Sequence, residues 1–103
     1  MIKHMDVEEL EQAEDAVVID VREPEEHARG ALPDAVNIPL ADFLDKVESG
    51  SLEYAKKQLL IVHCTSGSRS LIAAEAAKKG GYAKAYNLRG GYAAWQKFNR
   101  ARS

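Results

Sequence analysis

The chain has 103 residues, 46% of them hydrophobic and 29% charged, with a formal net charge of -2. Such a composition fits one soluble globular domain with a modest core and excludes a disordered, collagenous or bilayer-spanning chain. Lysines and arginines fall singly or in pairs, the start MIKHMDVEEL lacks the apolar core of a signal peptide, and no stretch approaches the ~18 apolar residues of a span, so a cytoplasmic protein with neither nucleic-acid nor membrane partners is expected.

Taken in chain order, Asp6 with Glu9 three residues on has the pattern of a helix N-terminus, and Val7 and Leu10 follow at helical spacing. AVVID, residues 16–20, is β-branched and apolar, which suits a parallel strand buried on both faces. Its exit, VREPEEHARGALPDA, reads as loop with Pro24 in the first turn of a brief helix. AVNIP is a short strand ended by Pro39. LADFLDKVESG then puts Leu40, Phe43, Leu44 and Val47 on one helical face, with Gly50 past its end. QLLIVH, residues 58–63, is the strongest strand signal, and SLIAAEAAKKGG is a helix closed by Gly80 and expected to begin at Ser70. KAYNL is a last strand, RGG a turn, and YAAWQKFNRA a final helix with Ala94, Trp95 and Phe98 on one face. This alternation predicts a parallel sheet with right-handed crossovers and helices on both faces, in a single domain spanning residues 1–103.

The only cysteine, Cys64, follows directly on the QLLIVH strand, at the edge where open parallel α/β sheets bind ligands. A single cysteine forms no intrachain disulfide, which fits a reducing compartment and leaves the thiol free. The following loop, Thr65, Ser66, Gly67 and Ser68, is polar, and Gly67 permits a positive φ that turns successive N–H groups inward as an anion nest. A helix start beyond it adds free N–H groups and the positive end of the dipole. Such surroundings lower a thiol from ~8.5 into a range of about 3.5 to 7.5 and make it a ready nucleophile. Arg69 supplies a permanent cation able to favour the thiolate and to hold an anionic substrate. His63, last in its strand, reads as a packed residue and not a base. The three histidines lack metal-ligand spacing, so neither metal nor cofactor is expected. Asp20 and Arg22 read as a brace between loops, and Tyr92 and Trp95 as core anchors.

VVIDVREPEEHARGALPDAVNIPL followed by LLIVHCTSGSRSLIAAEAAKKGGYAKAYNLRGGYAAW resembles the rhodanese-like sulfurtransferase domain. Four separated elements occur in the family order: DVREPEE, LPDAVNIP, the cysteine loop and NLRGGYAAW. The resemblance implies a five-stranded α/β fold, with Cys64 as the catalytic cysteine and residues 65–69 as the loop whose amides surround its sulfur. It implies sulfur transfer through a cysteine persulfide, from a small-molecule sulfane donor or a protein persulfide to cyanide or a thiol. Ala31 stands where the family often has histidine, Asp34 where it has glycine, and Thr65 where many thiosulfate-using members carry a basic residue.

Two other functions stay open on the residues. HC followed by RS resembles the tyrosine-phosphatase pattern, so a cysteine phosphatase or arsenate reductase is the rival enzyme. Only four residues separate Cys64 from Arg69, however, and a phosphoryl group needs a wider ring of amides than a single added sulfur does. A non-catalytic rhodanese-like binding module is the third reading, although such modules typically lack the cysteine.

Overall fold

The computed structural model describes residues 2–102. Ten elements follow in order: β1 Lys3–Met5, α1 Val7–Gln12, β2 Ala16–Asp20, α2 Pro24–Ala28, β3 Val36–Asn37, α3 Leu40–Ser49, β4 Leu59–His63, α4 Ser68–Lys79, β5 Ala85–Leu88 and α5 Gly91–Arg102. The five strands form one sheet in the order β1-β5-β4-β2-β3, with every neighbouring pair parallel. The sequence pattern yields four of these strands. The missing one, β1, is a three-residue edge strand whose first two residues are exposed, so it carries neither alternation nor an apolar run. It is held by parallel pairing to β5, and Arg89 N–H donates to the Met5 carbonyl at 2.8 Å.

Two cores lie on opposite faces of the sheet. Ile19, Val21, Phe43, Leu60, Val62, Ala73, Ala74 and Ala77 join under α3 and α4, while Met5, Val7, Ile61 and Leu88 pack with Leu10, Trp95 and Phe98 under α1 and α5. Successive strand side chains point to opposite faces, and β4 shows the consequence most clearly. Leu60 and Val62 face α4, and Cys64 continues that row in the same core; Ile61 faces α5. Tyr92 and Trp95 stack with centroids 6.1 Å apart in the α5 core, which gives them the anchoring role expected of them. Among the described residues no helix is long and apolar enough to cross a membrane.

Local chemistry accounts for most helix ends. At α1 the Asp6 N–H donates to Glu9 Oε1 at 3.0 Å, the capping arrangement read from the sequence. At α2 Pro24 occupies the first turn and the Glu23 N–H donates to Glu26 Oε1 at 3.0 Å. Gly50 closes α3 at φ 73°, in the left-handed region where glycine carries no Cβ penalty. One boundary departs from expectation. Helix α4 begins at Ser68 and not at Ser70, because Gly67 at φ 114° reverses the chain and its carbonyl already accepts the Leu71 N–H at 3.1 Å. Ser68, Arg69 and Ser70 therefore form the first turn.

Candidate active site

The Cys64 sulfur lies beneath the start of α4. Gly67 N–H donates to Sγ at 3.1 Å and the Ser70 hydroxyl approaches it at 3.4 Å. Burial pushes the thiol up, but the Ser70 hydroxyl together with the backbone N–H groups of Ser70, Gly67 and Ser66 outweighs it and leaves the thiol below its ordinary range. The residue is only 1% exposed, so its sulfur forms the floor of the loop, while Thr65, Ser66 and Ser68 line the exposed rim.

The loop is braced from below by the RGGY turn. Tyr92 N–H donates to the Cys64 carbonyl at 2.8 Å and Ala93 N–H to the Thr65 carbonyl at 3.1 Å, so the first turn of α5 spends its free donors on the loop. Drawing these carbonyls toward α5 turns the opposite edge of each trans peptide, with its N–H, the other way. A Cβ on Gly91 would lie 2.5 Å from the Cys64 carbonyl oxygen, so only glycine permits this approach.

Arg69 was expected to serve both thiolate and substrate. Its guanidinium is held by Glu26 of α2, with Nη1 to Oε1 at 2.8 Å and Nη2 to Oε2 at 3.0 Å, and it also reaches Thr65 Oγ1 at 3.3 Å. The hydrogen bond from Arg69 is the main reason the Glu26 carboxyl falls to about 2. Sequence reasoning missed Glu26, since nothing in the spacing of residues 26 and 69 announces a contact between an α2 carboxylate and the α4 start. It also missed Ser70 as a sulfur donor, and Asn87, whose Oδ1 lies 2.5 Å from the Ser70 hydroxyl. The doublet Arg69-Ser70 was visible, but only the helix phase puts the serine hydroxyl over sulfur.

His63 and Cys64, though adjacent, project from opposite faces of the sheet. The imidazole is fully buried beside Tyr92, its Nδ1 is 3.3 Å from the Cys64 carbonyl, and its Nε2 has no hydrogen-bond partner among the described residues. Burial pushes it below the usual histidine range, so it stays neutral at pH 7. It packs as expected and does not reach the sulfur. Asp20 and Arg22 form the predicted brace: Arg22 Nε and Nη2 bind Asp20 at 2.9 and 2.8 Å, Nη2 also binds the Gly30 carbonyl at 2.6 Å, and His27 Nδ1 meets Asp20 Oδ2 at 2.8 Å. Burial raises the Asp20 carboxyl, yet the Arg22 and His27 hydrogen bonds bring it down to about 2.

A parallel sheet whose central strand delivers a cysteine into a nest of amides at a helix start defines an α/β protein with a buried thiol at a strand end. The chain belongs to the rhodanese-like domain family, whose profile matches residues 4–98. It is 34% identical over 99 residues to a sulfurtransferase of Allochromatium vinosum, covering 92% of this chain and 89% of that one. Against the putative sulfurtransferase YtwF of Bacillus subtilis it is 38% identical over 89 residues, 86% of this chain and 82% of that protein. The human single-domain sulfurtransferase TSTD1 superposes with a TM-score of 0.82 at 26% identity, covering 94% of this chain and 97% of that one.

Proposed function

We propose that this chain is a single-domain sulfurtransferase that carries sulfur as a Cys64 persulfide. The observation that carries the proposal is the set of donors on Sγ: one sulfur atom, at the floor of a short loop, with N–H and O–H groups directed at it. The thiolate attacks the sulfane sulfur of a donor. A new S–S bond forms on Cys64, the donor's bond to that sulfur breaks, and its electron pair leaves with the donor remnant. Cyanide or a thiolate then attacks the outer sulfur and returns Cys64 as thiolate. Thr65, Ser66, Gly67, Ser68 and Arg69 form the substrate-binding rim, and their amides hold the negative charge at each stage.

Two features favour a persulfidated thiol over thiosulfate as donor. No basic residue follows the cysteine directly, and Glu26 neutralises Arg69, so the rim offers little to a small dianion. A lone cysteine with no intrachain disulfide partner suits a reducing compartment and supports action in the cytoplasm. The test is intact mass after incubation with thiosulfate, mercaptopyruvate or a persulfidated thiol, beside hydrolysis of p-nitrophenyl phosphate. A gain of one sulfur atom, lost on adding cyanide, is expected. Robust phosphatase turnover with no sulfur gained from any donor overturns the proposal in favour of the phosphatase.

A further inference from the structure

Behind Cys64 a row of polar groups runs through the protein to its surface. The Ser70 hydroxyl stands 3.4 Å from Cys64 Sγ and 2.5 Å from Asn87 Oδ1, and the Asn87 amide nitrogen stands 3.2 Å from His4 Nδ1. Ser70 and Asn87 are buried, at 0% and 3% exposure, whereas His4 sits exposed on the edge strand β1. Backbone register sets the far end, because His4 and Asn87 are paired across β1 and β5.

The hydroxyl has one hydrogen and faces two acceptors, so the row has two states. In one, Ser70 donates to Asn87 Oδ1, the Asn87 amide N–H donates to His4 Nδ1, and Ser70 is left to accept from a Cys64 thiol. In the other, the Asn87 amide is turned over: its N–H donates to Ser70, Ser70 donates to the Cys64 thiolate, and Asn87 Oδ1 accepts from a hydrogen on His4 Nδ1. Every bond in each state is satisfied, and the states differ in the direction of the row and in where the hydrogens at its two ends sit.

We infer that His4 is a positioning residue for the Cys64 nucleophile, acting through Asn87 and Ser70: a hydrogen on His4 Nδ1 directs the row toward the sulfur and favours the thiolate. The inference rests on the reading of Cys64 as nucleophile. Two ion pairs flank the row, Asp6 with Arg89 beside β1 and Glu26 of α2 with Arg69 of α4, and Lys3 alternates to the opposite face of β1 from His4. The titratable groups of the row itself are therefore its two ends.

The experiment is a double-mutant cycle read by the pH midpoint of Cys64 alkylation with iodoacetamide, which needs no sulfur donor. His4→Ala should raise the midpoint by roughly half a pH unit, the scale of one modest hydrogen-bond bias. The same substitution in an Asn87→Leu background should have no effect, because the row is cut. Should Asn87→Leu fail to fold, Ser70→Ala cuts the row at its other joint and serves as the background. Equal shifts from His4→Ala in intact and cut backgrounds, or no shift in the intact one, overturn the inference. Failure of the sulfur-gain test alone would remove the sulfurtransferase reading while leaving this cycle interpretable.

Discussion

Strands β2 and β4 lie side by side, point the same way and leave the sheet at the same edge, yet their exits do opposite things. At the β2 exit the charges are spent inside the protein: the Asp20 carboxylate takes Arg22 through two side-chain bonds, and His27 besides. At the β4 exit the backbone amides converge on a sulfur that offers them no counter-charge of its own until it ionises. A cation pinned by a buried carboxylate has its charge already compensated, whereas donors gathered around one ionisable atom stabilise its charged form. Arg69 stands between these cases, since it belongs to the sulfur loop by sequence but is tied to Glu26 as Arg22 is tied to Asp20. The rim is consequently less cationic than the count of its residues suggests.

Exchanging the consequences of the two exits is the strongest way to break this comparison. Cys64→Ser should lower sulfur transfer by more than about a thousandfold with no change in thermal midpoint, because the hydroxyl matches the thiol in size but does not ionise. Asp20→Ala should instead cost about 3–5 kcal/mol of stability, since it strands the buried Arg22 charge. Donor assays and denaturant melts on both variants decide the matter, and a stable Asp20→Ala protein would show that the brace is dispensable.

Acid separates the two carboxylates more gently. The Asp20 carboxyl is at about 2 in the folded protein against an ordinary 3.8, so its contribution to stability is fully present above about pH 4 and is lost as pH falls through about 2. The loss is on the order of 2 kcal/mol. Glu26 is lowered in the same direction, but its pair with Arg69 is part-exposed and screened by solvent. Denaturant midpoints at pH 5 and pH 2 should therefore lose more of their difference in Asp20→Asn than in Glu26→Gln. Equal losses would place the two ion pairs on one footing.

The smallest effect concerns loop shape. Gly67→Ala puts a side chain at φ 114°, where the nearest non-local atom, Asn87 Nδ2, is still 3.6 Å from the new Cβ. Space is thus available and backbone strain is the whole cost, about 1 to 2 kcal/mol. If the loop relieves that strain by turning the Gly67 N–H away from sulfur, the alkylation midpoint of Cys64 rises. An unchanged midpoint with unchanged stability would mean that the positive φ contributes little to the nest.

Much of the fold was written in local pattern, because apolar runs and helical periodicity depend on near neighbours alone. LLIVH became the central strand and AVVID its neighbour, and Phe43 and Val47 turned their helix onto the sheet. Edge strand β1 was illegible for the converse reason: backbone pairing holds it, and pairing leaves no mark on side-chain choice. The cysteine, its polar loop and the left-handed Gly67 could be read from residue types and order. Resemblance contributed the fifth strand and the sulfur chemistry.

What the sequence by itself determined is therefore the parallel α/β architecture, the position of Cys64 at a strand end, and the short loop beyond it, all fixed by contacts within a few residues. Only the tertiary structure decided which groups surround that loop. Glu26 meets Arg69 across 43 positions, His4 meets Asn87 across 83, and α5 reaches under the Cys64 carbonyl. Those meetings depend on strand order and helix phase, and the chain acquires both only when the whole sheet is assembled.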